Sequence, residues 1–353
     1  MCLEIGRNYW GKGLVVRLAA IDCGTHSIRL LISEVDSRSG AMVDVMRLNR
    51  IVGLGEGVDR TGHLSEAALE RTFAAVEEYA VYVRQEGVQQ IRMVATSASR
   101  DADNFSQFSA GVEARLGVTP EVISGQVEAT LGFTGTLSAH RDIASPALTV
   151  DIGGGSTEFA FGQANPDTGQ FDQVTAAVSM NMGSTRVTER YLRPAEDARG
   201  VPSEDAISQA GQFVDSLIAQ AGSSVPLERA REVVGVAGSV TTLTALELGL
   251  ASYEPDKING AVLDSGALRE RARRLIRMPH AEKAQLGPMH PQRVRQIAGG
   301  VLVWERILAW LEAHPAPGLA DSSAMPAGEP RGTFPVRTSE NDILDGIILS
   351  QIP

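Results

Sequence analysis

The chain has 353 residues, enough for two domains at the usual size of roughly 100–200 residues each. Apolar residues make up 43% and aromatics only 5%, so the protein reads as globular with a core of Leu, Val, Ile and Ala. A net charge of −11 excludes a general nucleic-acid binder, and it means that any anion site must be built locally from backbone N–H groups, a few arginines and a bound cation.

Two cysteines, Cys2 and Cys23, give neither a disulfide framework nor a zinc site, which points to a cytoplasmic protein. No run approaches the length of a membrane span, and the opening residues MCLEIGRNYWGKG lack the apolar centre of a signal peptide. Residues 1–15 read as a disordered leader before the first ordered run near Val16.

The β-rich run Val15–Asp22 is followed by the turn Cys23-Gly24-Thr25-His26-Ser27 and a second strand over Ile28–Val35, with a third near Met42–Arg50. Ser65 opens a helix that Gly87 closes. A strand is predicted at Arg92–Thr96, a helix at Asn104–Leu116, a short strand at Glu121–Ser124 and a helix from Gln126 to Leu137. The buried strand Leu148–Ile152 then runs into the turn Gly153-Gly154-Gly155-Ser156-Thr157 and a strand at Glu158–Phe161. Val174–Ser179 and Glu232–Val236 read as strands. Helices are predicted from Ser184, over Ser203–Gln220, Val240–Leu250, Leu268–Met278 and Val294–Ala313. His314–Pro335 is rich in Pro, Gly, Ala and Ser and reads as a flexible insertion; a short strand at Val336–Thr338 and a closing helix at 342–351 follow. Alternating strands and helices predict an α/β protein.

Two segments share one design 129 residues apart: a β-run ending in Asp22 or Asp151, a turn with Gly and Ser or Thr, and a second β-run. The repeat predicts two related lobes, 16–144 and 145–353, facing each other. A Gly-rich hairpin brings backbone N–H groups close to an anion, and hydroxyls add donors. The aspartates cannot bind phosphate themselves. They make sense as holders of Mg²⁺, which prefers a few carboxylates plus water and phosphate oxygens, so Asp22 and Asp151 are metal candidates. One such hairpin is as well explained by the ordinary turn preferences of Gly and Asp; two matched copies are not.

These turns, together with Gly238-Ser239, resemble the phosphate loops of the exopolyphosphatase/guanosine-pentaphosphatase family, part of the actin, sugar-kinase and Hsp70-like superfamily. Three further segments fit: Ala95-Thr-Ser-Ala-Ser-Arg100-Asp-Ala-Asp-Asn104, Ile123-Ser-Gly-Gln-Val-Glu128-Ala and Asn181-Met-Gly-Ser-Thr-Arg186. The resemblance runs from about Val16 to the last helix and is to the short form without a C-terminal helical extension. It implies two actin-like (ribonuclease H-like) lobes around a central cleft, and hydrolysis of a terminal phosphoanhydride with Mg²⁺ or Mn²⁺. It also implies roles. Glu128 would deprotonate the attacking water, Arg100 would clamp the terminal phosphate, and Glu158 would help hold the metal or the water. Gly24, Thr25, His26, Ser27, Gly153, Gly154, Gly155, Ser156, Thr157, Gly238 and Ser239 would line the phosphate path. In-line attack on a phosphoanhydride needs positioning and charge neutralisation more than covalent chemistry, which these parts supply. By the same resemblance the partners are inorganic polyphosphate or guanosine pentaphosphate, with no nucleic acid or membrane, and a homodimer is expected.

The chain departs from the family pattern at His26, where Asn is usual, and at Arg295, where an acid is common. The imidazole could add positive charge below about pH 6.5. Gly6 to Lys12 spells most of a P-loop but lacks the following hydroxyl residue and the preceding strand. Gly53-Leu-Gly55-Glu-Gly57 reads as a flexible loop that in relatives lies near the cleft. The five arginines from Arg269 to Arg277 read either as a guide for a polyanion or as a solvated helix face. Against hydrolysis stand two readings: a kinase or ATPase of the same superfamily, which would lack the Ile123–Ala129 segment and need a longer chain, and a non-catalytic polyphosphate or alarmone sensor.

Overall fold

A computed structural model describes residues 15–36, 38–140, 142–171, 173–315 and 332–352, so most of the expected leader and of the 314–335 insertion lies outside the described residues. The β-branched, polar-poor run of β1 (Val15–Cys23) pairs antiparallel with β2 (Ser27–Asp36), and β2 with β3 (Met42–Ile51). The short helix α1 (Val58–Thr61) leads to α2 (Glu66–Gln85), whose N-cap Ser65 accepts a bond from the Ala68 amide as expected of a capping serine. Then come β4 (Gln90–Ala95), α3 (Ser97–Asp101), α4 (Phe105–Leu116), β5 (Glu121–Val122) and α5 (Gly125–Ser138).

The second half repeats the plan. It begins with β6 (Ala147–Ile152), β7 (Thr157–Gln163), β8 (Gln173–Met180), α6 (Ser184–Val187) and α7 (Glu204–Gly222). It continues with β9 (Glu232–Val236), α8 (Ala237–Glu247), α9 (Pro255–Ile258), β10 (Val262–Asp264), α10 (Ser265–Ile276) and α11 (His280–Lys283). It closes with α12 (Ile297–Ala313), β11 (Pro335–Thr338) and α13 (Ile343–Leu349).

The first sheet has the order β3-β2-β1-β4-β5 and the second β10-β11-β9-β6-β7-β8. From their antiparallel edges both run third, second, first, fourth, fifth strand of their half, and β10 is an extra edge strand. The first hairpin pair is antiparallel and the fourth strand parallel in each. The duplication read from the two aspartate turns is therefore a duplication of whole sheets, as the ribonuclease H-like expectation requires.

Helices cover both faces of each sheet, which buries the inner strands throughout. On one face of the first sheet, Ile21, Leu30 and Met93 pack with Tyr79 and Phe108 of α2 and α4; on the second, Leu148, Phe159 and Val233 pack with Trp304 and Leu308 of α12. The opposite faces are covered by exchange. Helix α5, which ends the first half, lays Ala129, Phe133 and Leu137 on Ala147, Ala160 and Val234 of the second sheet. Helix α13, which ends the second half, lays Ile343, Leu344, Ile347 and Ile348 on Leu18, Ala20, Leu31 and Val35 of the first. The two helices cross backbone to backbone: a Cβ on Gly135 would lie 1.9 Å from the Asp342 carbonyl oxygen, and one on Gly346 1.9 Å from that of Leu131. Among the described residues no helix is long and apolar enough to cross a membrane.

Candidate active site

Strand register sets the first feature of the site. In the first hairpin Asp22 stands opposite Arg29, and in the second Asp151 stands opposite Glu158, each partner seven residues on. Directly opposed side chains on an antiparallel pair share a face, so each hairpin presents two functional groups to the same side.

The two turns meet. A methyl group on Gly154 would lie 3.0 Å from Thr25 Cβ and 3.1 Å from His26 Cβ, and one on Gly155 would lie 2.5 Å from Thr25 Oγ1. Each turn is braced from behind by amides that take up its carbonyls. In the first, the N–H groups of Val52 and Gly53 donate to the His26 oxygen and that of Gly55 to the Thr25 oxygen. In the second, the N–H groups of Ser184, Thr185 and Gly183 donate to the oxygens of Gly153, Gly154 and Gly155 respectively. Among the described residues no hydrogen bond uses the Gly154 or Gly155 amide, so these donors are available to an anion. The Gly53–Gly55 segment is thus a brace with Val52 and Leu54 buried, and not the flexible loop its glycines suggest.

The crevice between the turns has a volume of about 110 Å³. Asp22, Gly24, Thr25, His26, Ser27, Glu128, Asp151, Gly153, Gly154, Gly155, Ser156, Glu158, Gly238 and Ser239 all line it. Glu128 reaches it from the first turn of α5, whose N-cap Ser124 accepts a bond from the Val127 amide. Gly238 and Ser239 are not a turn before a helix. They form its first turn, so α8 points its positive end at the crevice.

Two expected positions fall elsewhere. Arg100 does not line the crevice: its Nη1 donates to Glu128 Oε2 at 2.7 Å and to the Ile123 oxygen at 3.0 Å, so it braces a carboxylate where a phosphate clamp was expected. Thr157 is fully buried and its hydroxyl donates to the Met182 oxygen at 2.8 Å, which leaves it no part in lining the path. Two arginines were missed. Arg29 Nη2 donates to Asp22 Oδ2 at 2.6 Å and also bonds Asp342; the equal spacing of Asp22–Arg29 and Asp151–Glu158 was the available signal. Arg293, from the segment before α12, donates to the Gly238 oxygen and to Thr242 Oγ1, both at 3.1 Å, and has no carboxylate partner among the described residues. Nothing local in the sequence marked it.

The electrostatics follow from burial. Desolvation raises the pKa of Asp22, Glu128, Asp151 and Glu158, that of Asp151 to about 7. Arg29 opposes the shift at Asp22 and Arg100 opposes it at Glu128, while Glu128 and Asp151 add to it at Glu158. His26 is shifted the other way, to about 4, by burial and then by Arg293 and His290, so the ring is neutral near pH 6 and does not supply the charge its ordinary value suggests. Both its nitrogens are buried without a partner.

A divalent cation fits the carboxylates. Asp22 Oδ1 is buried and has no hydrogen-bond partner, and the acids around it outnumber the arginines. Among the described residues no three His, Cys, Asp or Glu side chains form a group that could hold a metal ion, so Asp22, Asp151 and Glu158 are not brought together as a three-carboxylate site. The arginine-rich α10 makes no basic track: Arg269, Arg271, Arg273, Arg274 and Arg277 each pair with a glutamate.

Residues 31–316 match the model of the Ppx/GppA phosphatase family. The chain belongs to that family. It is 38% identical over 343 residues to exopolyphosphatase 2 of Mycobacterium tuberculosis, covering 95% of this chain and 98% of that one. A solved exopolyphosphatase-like protein superposes with a TM-score of 0.85 at 38% identity, covering 96% of this chain and 98% of the other. The Ppx/GppA enzyme of Aquifex aeolicus shares the fold with a TM-score of 0.73 at 24% identity, over 95% and 99% of the two chains.

Proposed function

We propose that the protein is an exopolyphosphatase that removes the terminal phosphate of inorganic polyphosphate by attack of water. The observation that carries this reading is the convergence of two matched aspartate hairpins and Glu128 on one crevice. Full-length similarity to a protein named exopolyphosphatase 2 supports it.

The terminal phosphate lies between the turns, held by the free amides of Gly154 and Gly155, the hydroxyls of Ser27, Ser156 and Ser239, and the N-terminus of α8. Glu128 takes the proton of the attacking water, and Arg100 fixes its orientation and favours its ionised form. Asp22, with its unpartnered Oδ1, would hold Mg²⁺ or Mn²⁺, which supplies charge neutralisation at the phosphate oxygens. The proton passes from water to Glu128 while the departing phosphate oxygen leaves as an anion.

A second substrate, guanosine pentaphosphate, has its own support. A wider cavity of about 720 Å³ adjoins the crevice and shares Arg29, Asn49, Ala237, Gly238 and Arg293 with it. Its walls include Leu48, Ile51, Met289 and the Tyr253 ring, a lining suited to a base and ribose. Phosphate release measured side by side on long polyphosphate and guanosine pentaphosphate with Mg²⁺ separates the two. The Glu128→Gln variant is expected to lose at least about 100-fold in kcat on either substrate. Undiminished release by that variant refutes the assignment of the base, whereas no release by the wild-type protein on either substrate makes a binding protein the better reading.

A further inference from the structure

At the edge of the crevice the Arg186 side chain bonds to both lobes at once. Arg186, on α6 of the second lobe, has a side chain only 11% exposed and uses all three of its donor nitrogens. Its Nε donates to the Gly155 oxygen at 2.8 Å, within the phosphate turn of its own lobe. Its Nη1 bonds Asp59 on α1, and its Nη2 donates to Asp101 Oδ2 on α3 at 2.6 Å, both in the first lobe. One turn further along, Glu189 Oε2 accepts from the Gly57 amide at 3.2 Å. The seam around these contacts is packed, with about 10 Å³ of open space, so it is a joint and has no room for a ligand.

The elements Arg186 grips matter for the chemistry. Asp101 directly follows Arg100 on the five-residue helix α3, and Arg100 holds Glu128. Gly155 is one of the turn residues whose amide makes no hydrogen bond among the described residues and is free for the phosphate. A rigid planar fork with three fixed donors suits a group that must hold three partners in one geometry.

We infer that Arg186 is a positioning residue: by gripping Asp59, Asp101 and the Gly155 carbonyl at once, it closes the two lobes and sets the phosphate turn and the Arg100–Glu128 pair in register. The inference rests on the hydrolase reading for its catalytic consequence and on geometry alone for its mechanical one.

Arg186→Gln and the double variant Asp59→Asn/Asp101→Asn test it with two readouts. Steady-state phosphate release is expected to fall about tenfold or more in kcat for Arg186→Gln, with KM changed less than about threefold, since alignment and not ground-state binding is lost. The double variant, which alters only half-exposed carboxylates and keeps the core intact, is expected to reproduce most of that loss. Amide hydrogen exchange is expected to rise about tenfold or more in Gly55–Gly62 and Ser97–Asp101 in both variants, with β9 and α12 unchanged. Wild-type kcat in both variants, or exchange that rises alike in β9 and α12, overturns the inference. If the wild-type protein itself releases no phosphate, the hydrolase reading fails, while the exchange measurement still decides whether Arg186 joins the lobes.

Discussion

Arg100 and Glu128 are bonded at 2.7 Å with both side chains largely buried, and this pair makes the two roles of the arginine separable. Burial raises the Glu128 pKa and Arg100 lowers it, so removing the arginine leaves the rise unopposed. A base is lost as pH falls through its pKa; raising that pKa moves the acid limb of the rate profile upward. Arg100→Gln is expected to shift the acid limb of kcat by on the order of one pH unit. A phosphate clamp would instead raise KM and leave the limb in place, so the profile separates the two. Asp151 offers a stability counterpart. Its folded value of about 7 lies above the ordinary 3.8, so the folded chain is favoured below pH 4 relative to high pH, and that advantage is lost as pH rises through 7. Without metal, Asp151→Asn is expected to stabilise the protein at pH 8 by on the order of 1–2 kcal/mol, a gain that fades towards pH 4. Thermal unfolding at both pH values checks this; equal shifts at the two would count against an internal charge as the cause.

At the level of helices and strands, the crossing of α5 and α13 is where a single methyl group decides the outcome. Glycine inside a helix ordinarily costs about 1 kcal/mol against alanine. At Gly135 the added Cβ would fall 1.9 Å from the Asp342 oxygen and 2.5 Å from the Gly346 nitrogen, both backbone atoms. Overpacking of that kind costs about 3 kcal/mol or more and outweighs the propensity gain. At Gly132, one turn earlier, the nearest atom would be 3.9 Å away. Gly135→Ala is therefore expected to destabilise by about 2 kcal/mol or more, and Gly132→Ala to be neutral or stabilising by up to about 1 kcal/mol, by urea denaturation. The same sign for both would refute the close crossing. This exchange of helices was not legible in the sequence, because α5 and α13 each read as the end of their own half and only tertiary packing assigns their faces. The hairpins were legible, since strand, Asp and Gly-rich turn are local and repeated. The motif around Arg100 brought the residue to the right neighbourhood but could not say which way its side chain faces. Arg293 lies 55 residues from its partner Gly238 and left no pattern to find.

For the molecule as a whole, the question is how a protein of net charge −11 captures a polyanion. A basic track would make capture faster at low salt, by the steering that raises association rates of opposite charges. The arginines of α10 do not form one, because glutamates neutralise each of them, and Arg29, Arg47 and Arg50 beside the wide cavity are likewise paired with acids. Among the attractive groups that remain, Arg293, the free turn amides and the end of α8 lie at the crevice and act over short range. At long range the substrate meets repulsion. Screening lengths fall from about 30 Å at 0.01 M salt to about 8 Å at 0.15 M, so salt removes the repulsion while leaving the short-range contacts largely intact. We therefore expect kcat/KM on long polyphosphate, at fixed free Mg²⁺, to rise about two- to threefold between 0.01 M and 0.15 M KCl. The short substrate tripolyphosphate, with less charge outside the crevice, should respond more weakly. A steady fall with salt on the long substrate would mean that a basic approach path exists after all, and that the pairing of the α10 arginines does not silence them at a distance.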